Sequence, residues 1–358
     1  MSHTALLHPV ELLSAAGDGL ITSRALHEAG VHHRTIAAWV RQSLLTRVRA
    51  GAYAASPMWA ALWPEQQHRI LVRATMQAAR REYTVSHLSA AAMHGFGTVG
   101  SWPSTVHVSD ASATGGASAR LLTVHRGAPE PDTELIDGVR VTSLARTLAD
   151  VAVSEPILRS VPVLDAGLRR ARSEAAHAAR HEGVHWRSPE MRRRQDAAEE
   201  LAREQLFTEL DRLSPRRWRA RAARALAFAN GRSESVGESL CRVRFLELGF
   251  EIPELQVVFQ GADGGEVDAD FWWPRVRKIG EFDGKHKYMR GAILAPGHDP
   301  GEVVFAEKQR EDALRRQADT VTRWLWPQLL DPLAFLQYSR EQGVPLAQRM
   351  RPAARLRG

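Results

Sequence analysis

The chain has 358 residues, 44% hydrophobic and 25% charged, which is ordinary globular composition and enough for two or three domains. Its net charge of +7 and pI of about 10.1 favour a polyanionic partner, most simply nucleic acid. Cys241 is the only cysteine, so an intrachain disulfide and a thiolate metal centre are both excluded. The N-terminal residues lack a basic stretch followed by an apolar run, and no apolar stretch is long enough to span a bilayer. A soluble, cytoplasmic protein with no membrane partner is expected.

Residues 1–55 have the rhythm of a winged helix-turn-helix. Val10, Leu12 and Leu13 suggest a first helix, Thr22 and Ser23 can cap a second, and Gly30-Val31 makes the turn. Ile36, Trp39 and Val40 are spaced for the buried face of a third helix, and LLTRVRAGAYA alternates about Gly51 as a β-wing would. Arg34, Arg41, Arg47 and Arg49 decorate the third helix and wing. In this geometry the helix enters the major groove of double-stranded DNA and the arginines hold phosphates. The same basic face could serve protein contact instead.

Residues 56–155 read as a small α/β domain. An amphipathic helical stretch over 56–82 leads to SHLSAAAMHG, a helix closed by Gly95. STVHVSD and LLTVHRG are short strands, and VRVTSLARTLADVAV is a strand running into a helix with Ser143 as its N-cap. His87, His94, His107 and His125 lack metalloprotease spacing and read as packing or hydrogen-bonding histidines, and no nucleophile elbow is present. Residues 156–231, rich in Ala, Arg and Glu, form a helical connector with a loop near 183–189.

Residues 232–345 carry the chemistry, followed by a basic tail over 346–358. The predicted order is helix 234–248, strands 255–260, 266–272 and 277–282, helix 304–317, strand 320–326 and helix 333–341. The segment EVDADFWWPRVRKIGEFDGKHKY puts Asp268 and Asp270 near the end of one strand and Glu281 and Asp283 near the end of the next. Residues two apart share a strand face, and a turn at Trp273-Pro274-Arg275 would bring the four carboxylates to one sheet edge. Such a cluster repels itself unless a cation sits in it, and oxygen ligands suit Mg²⁺. The chain's four lysines, Lys278, Lys285, Lys287 and Lys308, all lie around this cluster, although it uses arginine almost everywhere else. Glu234 and Glu238, four apart on a helix, repel each other. Either a cation or Arg242, one turn further on, must offset that.

This αβββαβ order, with the phrases SVGESLCRVRFLELGF, ELQVVF, VDADFWWP, GEFDGKHKY and EKQREDALRR, resembles the PD-(D/E)xK nuclease superfamily. More closely, it resembles the restriction-endonuclease-like family related to very-short-patch-repair endonucleases. The resemblance implies Asp270 and Glu281 as carboxylates for Mg²⁺ (or Mn²⁺), Glu238 as the acidic residue of the first helix, and Gln256 as a polar neighbour. The superfamily's lysine usually stands two residues after the second acid, where this chain has Asp283. Lys285 or Lys308 would then supply the amine, or cleavage is lost. The first 155 residues, through GLITSRALHEAGVHHRTIAAWVRQSLLTRVRAGAYA, SHLSAAAMHG and GVRVTSLARTLAD, resemble antitoxins of abortive-infection, type IV toxin–antitoxin systems. That implies DNA binding and a possible toxin or operon partner protein. Two functions follow as expectations: a metal-dependent endonuclease targeted by a winged helix, or a non-catalytic DNA-binding regulator with a degenerate nuclease domain.

Overall fold

A computed structural model describes residues 4–110, 117–119, 121–126, 132–213, 218–260, 265–284 and 313–347. The architecture is α+β and multidomain, and the chain divides into two compact units, residues 1–229 and 230–358.

The first unit opens with α1 (Thr4–Ala16), β1 (Ile21–Thr22), α2 (Ser23–Glu28), α3 (His33–Arg41), β2 (Leu45–Arg49) and β3 (Ala52–Ala55), an arrangement of winged helix-turn-helix form. The strands make an antiparallel sheet in the order β1-β3-β2. Thr22 caps α2, its hydroxyl accepting the Ala25 N–H at 3.1 Å. Gly30 turns α2 into α3 at φ +79° and Gly51 turns the wing at φ +78°, conformations that favour glycine. Val10, Leu26, Ile36, Trp39, Leu45 and Tyr53 close the core, while Leu12 faces solvent.

The helix expected over 56–82 is broken into α4 (Ser56–Ala61) and α5 (Pro64–Gln77). Pro64 forces Trp63 into an extended conformation (φ −67°, ψ 153°), and the chain restarts a helix with proline in its first turn. Next come β4 (Thr84–Val85), α6 (His87–Met93), β5 (Val106–Asp110), β6 (Ala117–Ala119), β7 (Leu122–Arg126), β8 (Thr133–Ile136), β9 (Val139–Thr142) and α7 (Leu144–Ser154). Their six strands form one mixed sheet, β6-β7-β5-β4-β9-β8, over a valine-rich core. Ser143 caps α7 through the Arg146 N–H. The histidines are occupied locally: His94 Nε2 meets the Thr142 carbonyl at 3.0 Å, and the His87 ring stacks on His125. Three helices complete the unit, α8 (Ile157–His181), α9 (Pro189–Arg212) and α10 (Arg219–Phe228). Buried Arg172 of α8 meets Asp196 and Glu199 of α9 at 2.6 and 2.9 Å.

The second unit comprises α11 (Val236–Glu247), β10 (Glu254–Gln260), β11 (Glu266–Trp273), β12 (Lys278–Phe282), β13 (Thr320–Trp324), α12 (Trp326–Leu330) and α13 (Pro332–Glu341). Residues 313–317, the end of the helix predicted over 304–317, are helical. The sheet order is β10-β11-β12-β13. The first three strands are antiparallel, and β13 runs parallel to β12, which a tight hairpin cannot achieve. β11 and β12 are joined by a 3₁₀ turn, Pro274–Val276, that ends in Arg277 at φ +44°.

Phe245 of α11 is the hub of the core. Its ring lies 5.2–5.7 Å from those of Phe271, Trp273, Trp324 and Phe335. Two close approaches, one between helix and sheet and one within the sheet, depend on positions that lack a Cβ. A Cβ on Gly237 would lie 2.0 Å from the Phe282 ring, and one on Gly280 would lie 2.7 Å from Trp324.

Candidate functional site

The site is assembled where the first turn of α11 faces the middle of the sheet. Ser235 is the N-cap: its Oγ accepts the Glu238 N–H at 3.1 Å and donates to Glu238 Oε1 at 2.7 Å. Glu238 Oε2 reaches back to the Glu234 N–H at 2.8 Å. Ser235 thus caps the first turn of the helix, and hydrogen bonds from the Ser235 hydroxyl and the Glu234 N–H fix the Glu238 carboxylate. Glu238 itself is buried.

Gln256 stands in β10 at φ +50°, a conformation uncommon for a residue with a Cβ. Its Nε2 donates to Glu238 Oε2 at 3.2 Å and to Asp270 Oδ1 at 3.3 Å, so a single amide bridges two carboxylates from different elements. The other Asp270 oxygen accepts the Phe282 N–H at 2.8 Å. That contact falls just beyond the last β11–β12 register pair, Phe271↔Gly280, so a side chain takes over from the ladder there. Burial, then the neighbouring Asp270 charge, push the Glu238 carboxyl up to about 7, with Glu234 adding to the same effect. A carboxylate at that value exchanges its proton near neutrality, a property common at catalytic and metal sites.

Glu281 is held differently. It is buried on β12 opposite Arg323 of β13, whose Nε donates to Glu281 Oε2 at 3.2 Å. Asp283, half-buried, gives its N–H to the Trp324 carbonyl at 2.9 Å. Asp268 stands opposite Val258 of β10, two residues before Asp270. Glu238, Gln256 and Asp270 are therefore brought together by direct contact, whereas Glu281 meets an arginine that its neighbours in sequence do not announce. Lys285 and Lys308 lie outside the described residues. Arg242, the alternative offset to the Glu234–Glu238 repulsion, donates to Ser233 Oγ at 3.2 Å. Cys241 is buried, and burial holds its thiol well above the usual range.

Among the described residues, no group of three or more His, Cys, Asp or Glu is arranged to hold a metal ion. Two of the three expected ligands nonetheless fit one. Glu238 and Asp270 are hard oxygen donors, the Asp270 charge raises the cost of ionising Glu238, and the two share one amide where a cation would compensate both. Glu281, the third, accepts a hydrogen bond from Arg323 at its Oε2, at 3.2 Å.

Lys278 belongs to the core. Its Nζ donates to the Gln342 carbonyl at 2.7 Å and to Thr320 Oγ1 at 3.1 Å, and burial lowers its pKa. Its neighbours on the sequence gave no sign of this, because both partners come from distant elements.

In the first unit, Arg34, Arg41 and Arg47 are exposed on α3 and the wing, with Arg47 6.0 Å from the centre of the Tyr53 ring. Arg49 is turned inward: its Nη1 donates to the Ala74 carbonyl of α5 at 3.1 Å. Among the described residues, no helix is long and apolar enough to cross a membrane.

No protein-family model matches the chain. It is similar to two uncharacterized proteins of Mycobacterium tuberculosis, MT2308 and Rv2248, from different strains. Each is 27% identical over 248 residues, covering 68% of this chain and 78% of the relative.

Proposed function

We propose that the second unit is an Mg²⁺- or Mn²⁺-dependent endonuclease acting on DNA phosphodiester bonds, and that the winged helix of the first unit carries it to double-stranded DNA. The observation that supports this most is the Glu238–Gln256–Asp270 cluster, two carboxylates bridged by one amide with Glu238 raised to about 7. Glu238 and Asp270 would hold the cation, with Glu281 as a third ligand once released from Arg323. A bound divalent ion supplies an activated water and a charge sink for the leaving oxygen. A lysine, Lys285 or Lys308, steadies the anionic transition state. Arg34, Arg41 and Arg47 would contact backbone phosphates.

The test incubates full-length protein with plasmid and linear DNA in Mg²⁺, Mn²⁺ or EDTA. Cleavage with metal and none in EDTA is expected, and Asp270→Ala should abolish both cleavage and calorimetric metal binding. Lys285→Arg or Lys308→Arg should lower cleavage roughly 10²-fold, the scale of losing one acid–base group. Equal metal affinity in wild type and Asp270→Ala rejects the site.

The Glu281–Arg323 ion pair, together with Asp283 at the usual lysine position, favours a second reading: a DNA-binding regulator or antitoxin without cleavage. Salt-dependent DNA binding by a protein that never cuts with either metal would select it.

A further inference from the structure

The last two turns of α8 carry a pair of outward-facing imidazoles. His177 and His181 stand four residues apart on this helix, so they share one face, and both are exposed. On the other side of the same turns, Ala176 and Ala179 are buried with Met191 of α9. That packing, together with the Arg172 ion pairs to Asp196 and Glu199, holds the backbone that carries the two histidines.

The rings meet edge to face, with centroids 4.5 Å apart, and their Nε2 atoms lie 3.0 Å apart. A metal ion bound by two imidazole nitrogens at 2.0–2.1 Å, with a ligand–metal–ligand angle of about 90–109°, needs those nitrogens about 2.8–3.4 Å apart. The His177–His181 separation falls inside that range. The same nitrogen of each ring is turned toward the other, so neither ring has to flip to offer its Nε2. The end of a helix also favours a cation, because its last carbonyls carry partial negative charge. A hydrogen bond between two exposed imidazoles competes with water and gains little, whereas a metal ion engages both nitrogens at once.

We propose that His177 and His181 chelate a first-row transition-metal ion of the class that prefers imidazole, Cu²⁺, Ni²⁺ or Zn²⁺. In the pair as it stands, one Nε2 donates a hydrogen bond to the other. Metal binding needs both Nε2 lone pairs, so the donor ring moves its proton to Nδ1 and passes to its other tautomer. Glu182, the next residue, is held by Arg194, so the remaining positions on the metal fall to water. Mg²⁺, which takes oxygen ligands, is not an occupant of this site.

Isothermal titration of the full-length protein with Cu²⁺, Ni²⁺ and Zn²⁺, in excess Mg²⁺ to occupy carboxylate sites, tests this independently of the nuclease reading. Cu²⁺ should bind more tightly than either Ni²⁺ or Zn²⁺. His177→Gln and His181→Gln, both at exposed positions, should each weaken one equivalent of binding by about tenfold or more. A third variant combines His177→Ser with Ser173→His, also at an exposed position. It keeps two histidines but parts them by about 12 Å along the helix, and should bind as weakly as the single variants. The proposal is overturned if none of the three ions binds below about millimolar concentration, if both glutamine variants bind like wild type, or if the respaced variant does.

Discussion

Glu238 shows how one side chain acquires a function-bearing property from its surroundings. In isolation it would ionise near 4.5, but burial and Asp270 lift it to about 7. A carboxyl raised on folding binds its proton more tightly in the folded state. Its contribution to stability is therefore full below about 4.5 and is lost as pH rises through about 7. Denaturant titrations of wild type and Glu238→Gln should diverge across that window, wild type losing on the order of 3 kcal/mol that the variant keeps. If the two curves run parallel, Glu238 is not held as described. A divalent cation should reverse the trend, stabilising wild type more at pH 8 than at pH 6, because ligands bind metal deprotonated. Arg323 offers a second residue-scale test. Arg323→Gln leaves Glu281 buried without its ion pair and should lower stability by about 1–3 kcal/mol while tightening Mg²⁺ binding, as the carboxylate becomes available. Loss of stability with no gain in metal affinity would make Glu281 purely structural. The acids themselves were legible as D…ExD spacing. Arg323 was not, because its position opposite Glu281 depends on the β12–β13 register.

At the scale of elements, α11 and β12 meet so closely that their spacing sets the site. Gly237 lets the first turn of the helix rest on Phe282, whose N–H is held by Asp270. Alanine is the better helix former by about 1 kcal/mol, yet here its methyl would overlap the Phe282 ring. Overpacking should win, so Gly237→Ala should destabilise the unit by about 1–3 kcal/mol and disturb metal binding, measurable by chemical denaturation and calorimetry. A more stable variant would mean that Phe282 moves aside freely. Most elements were readable from periodicity: the strands of the acidic segment, the helix closed by Gly95 and the Thr22 and Ser143 caps all stand where local chemistry puts them. The break at Trp63 was readable too, through Pro64, but amphipathic periodicity on both sides of it masked the stop. Local sequence could not reveal the left-handed Gln256, since a strand residue shows such strain only when its neighbours in space demand it.

For the whole molecule, two compact units with separate cores should unfold in two steps. Phe245→Ala removes the hub of the second unit's core, a change worth about 3–5 kcal/mol, and should lower one calorimetric transition while leaving the other in place. Trp39→Ala, in the core of the winged helix, should do the converse. A single transition shifted equally by both variants would show one cooperative body. The basic charge also belongs to this scale. If Arg34, Arg41 and Arg47 hold phosphates, each replacement by serine should reduce the slope of log affinity against log salt by about 0.9. An unchanged slope would turn this face toward a protein partner. The sequence by itself determined the fold class, most of the longer elements and the acids worth suspecting, because periodicity, caps and turn chemistry act over a few residues. Only the tertiary structure decided which of those acids meet. Gln256 bridges Glu238 and Asp270 across three elements, Glu281 is claimed by Arg323, Lys278 sinks into the core and Arg49 turns toward α5. Each of those outcomes depends on strand register or on helix-to-sheet distance, set by packing between segments far apart in the chain.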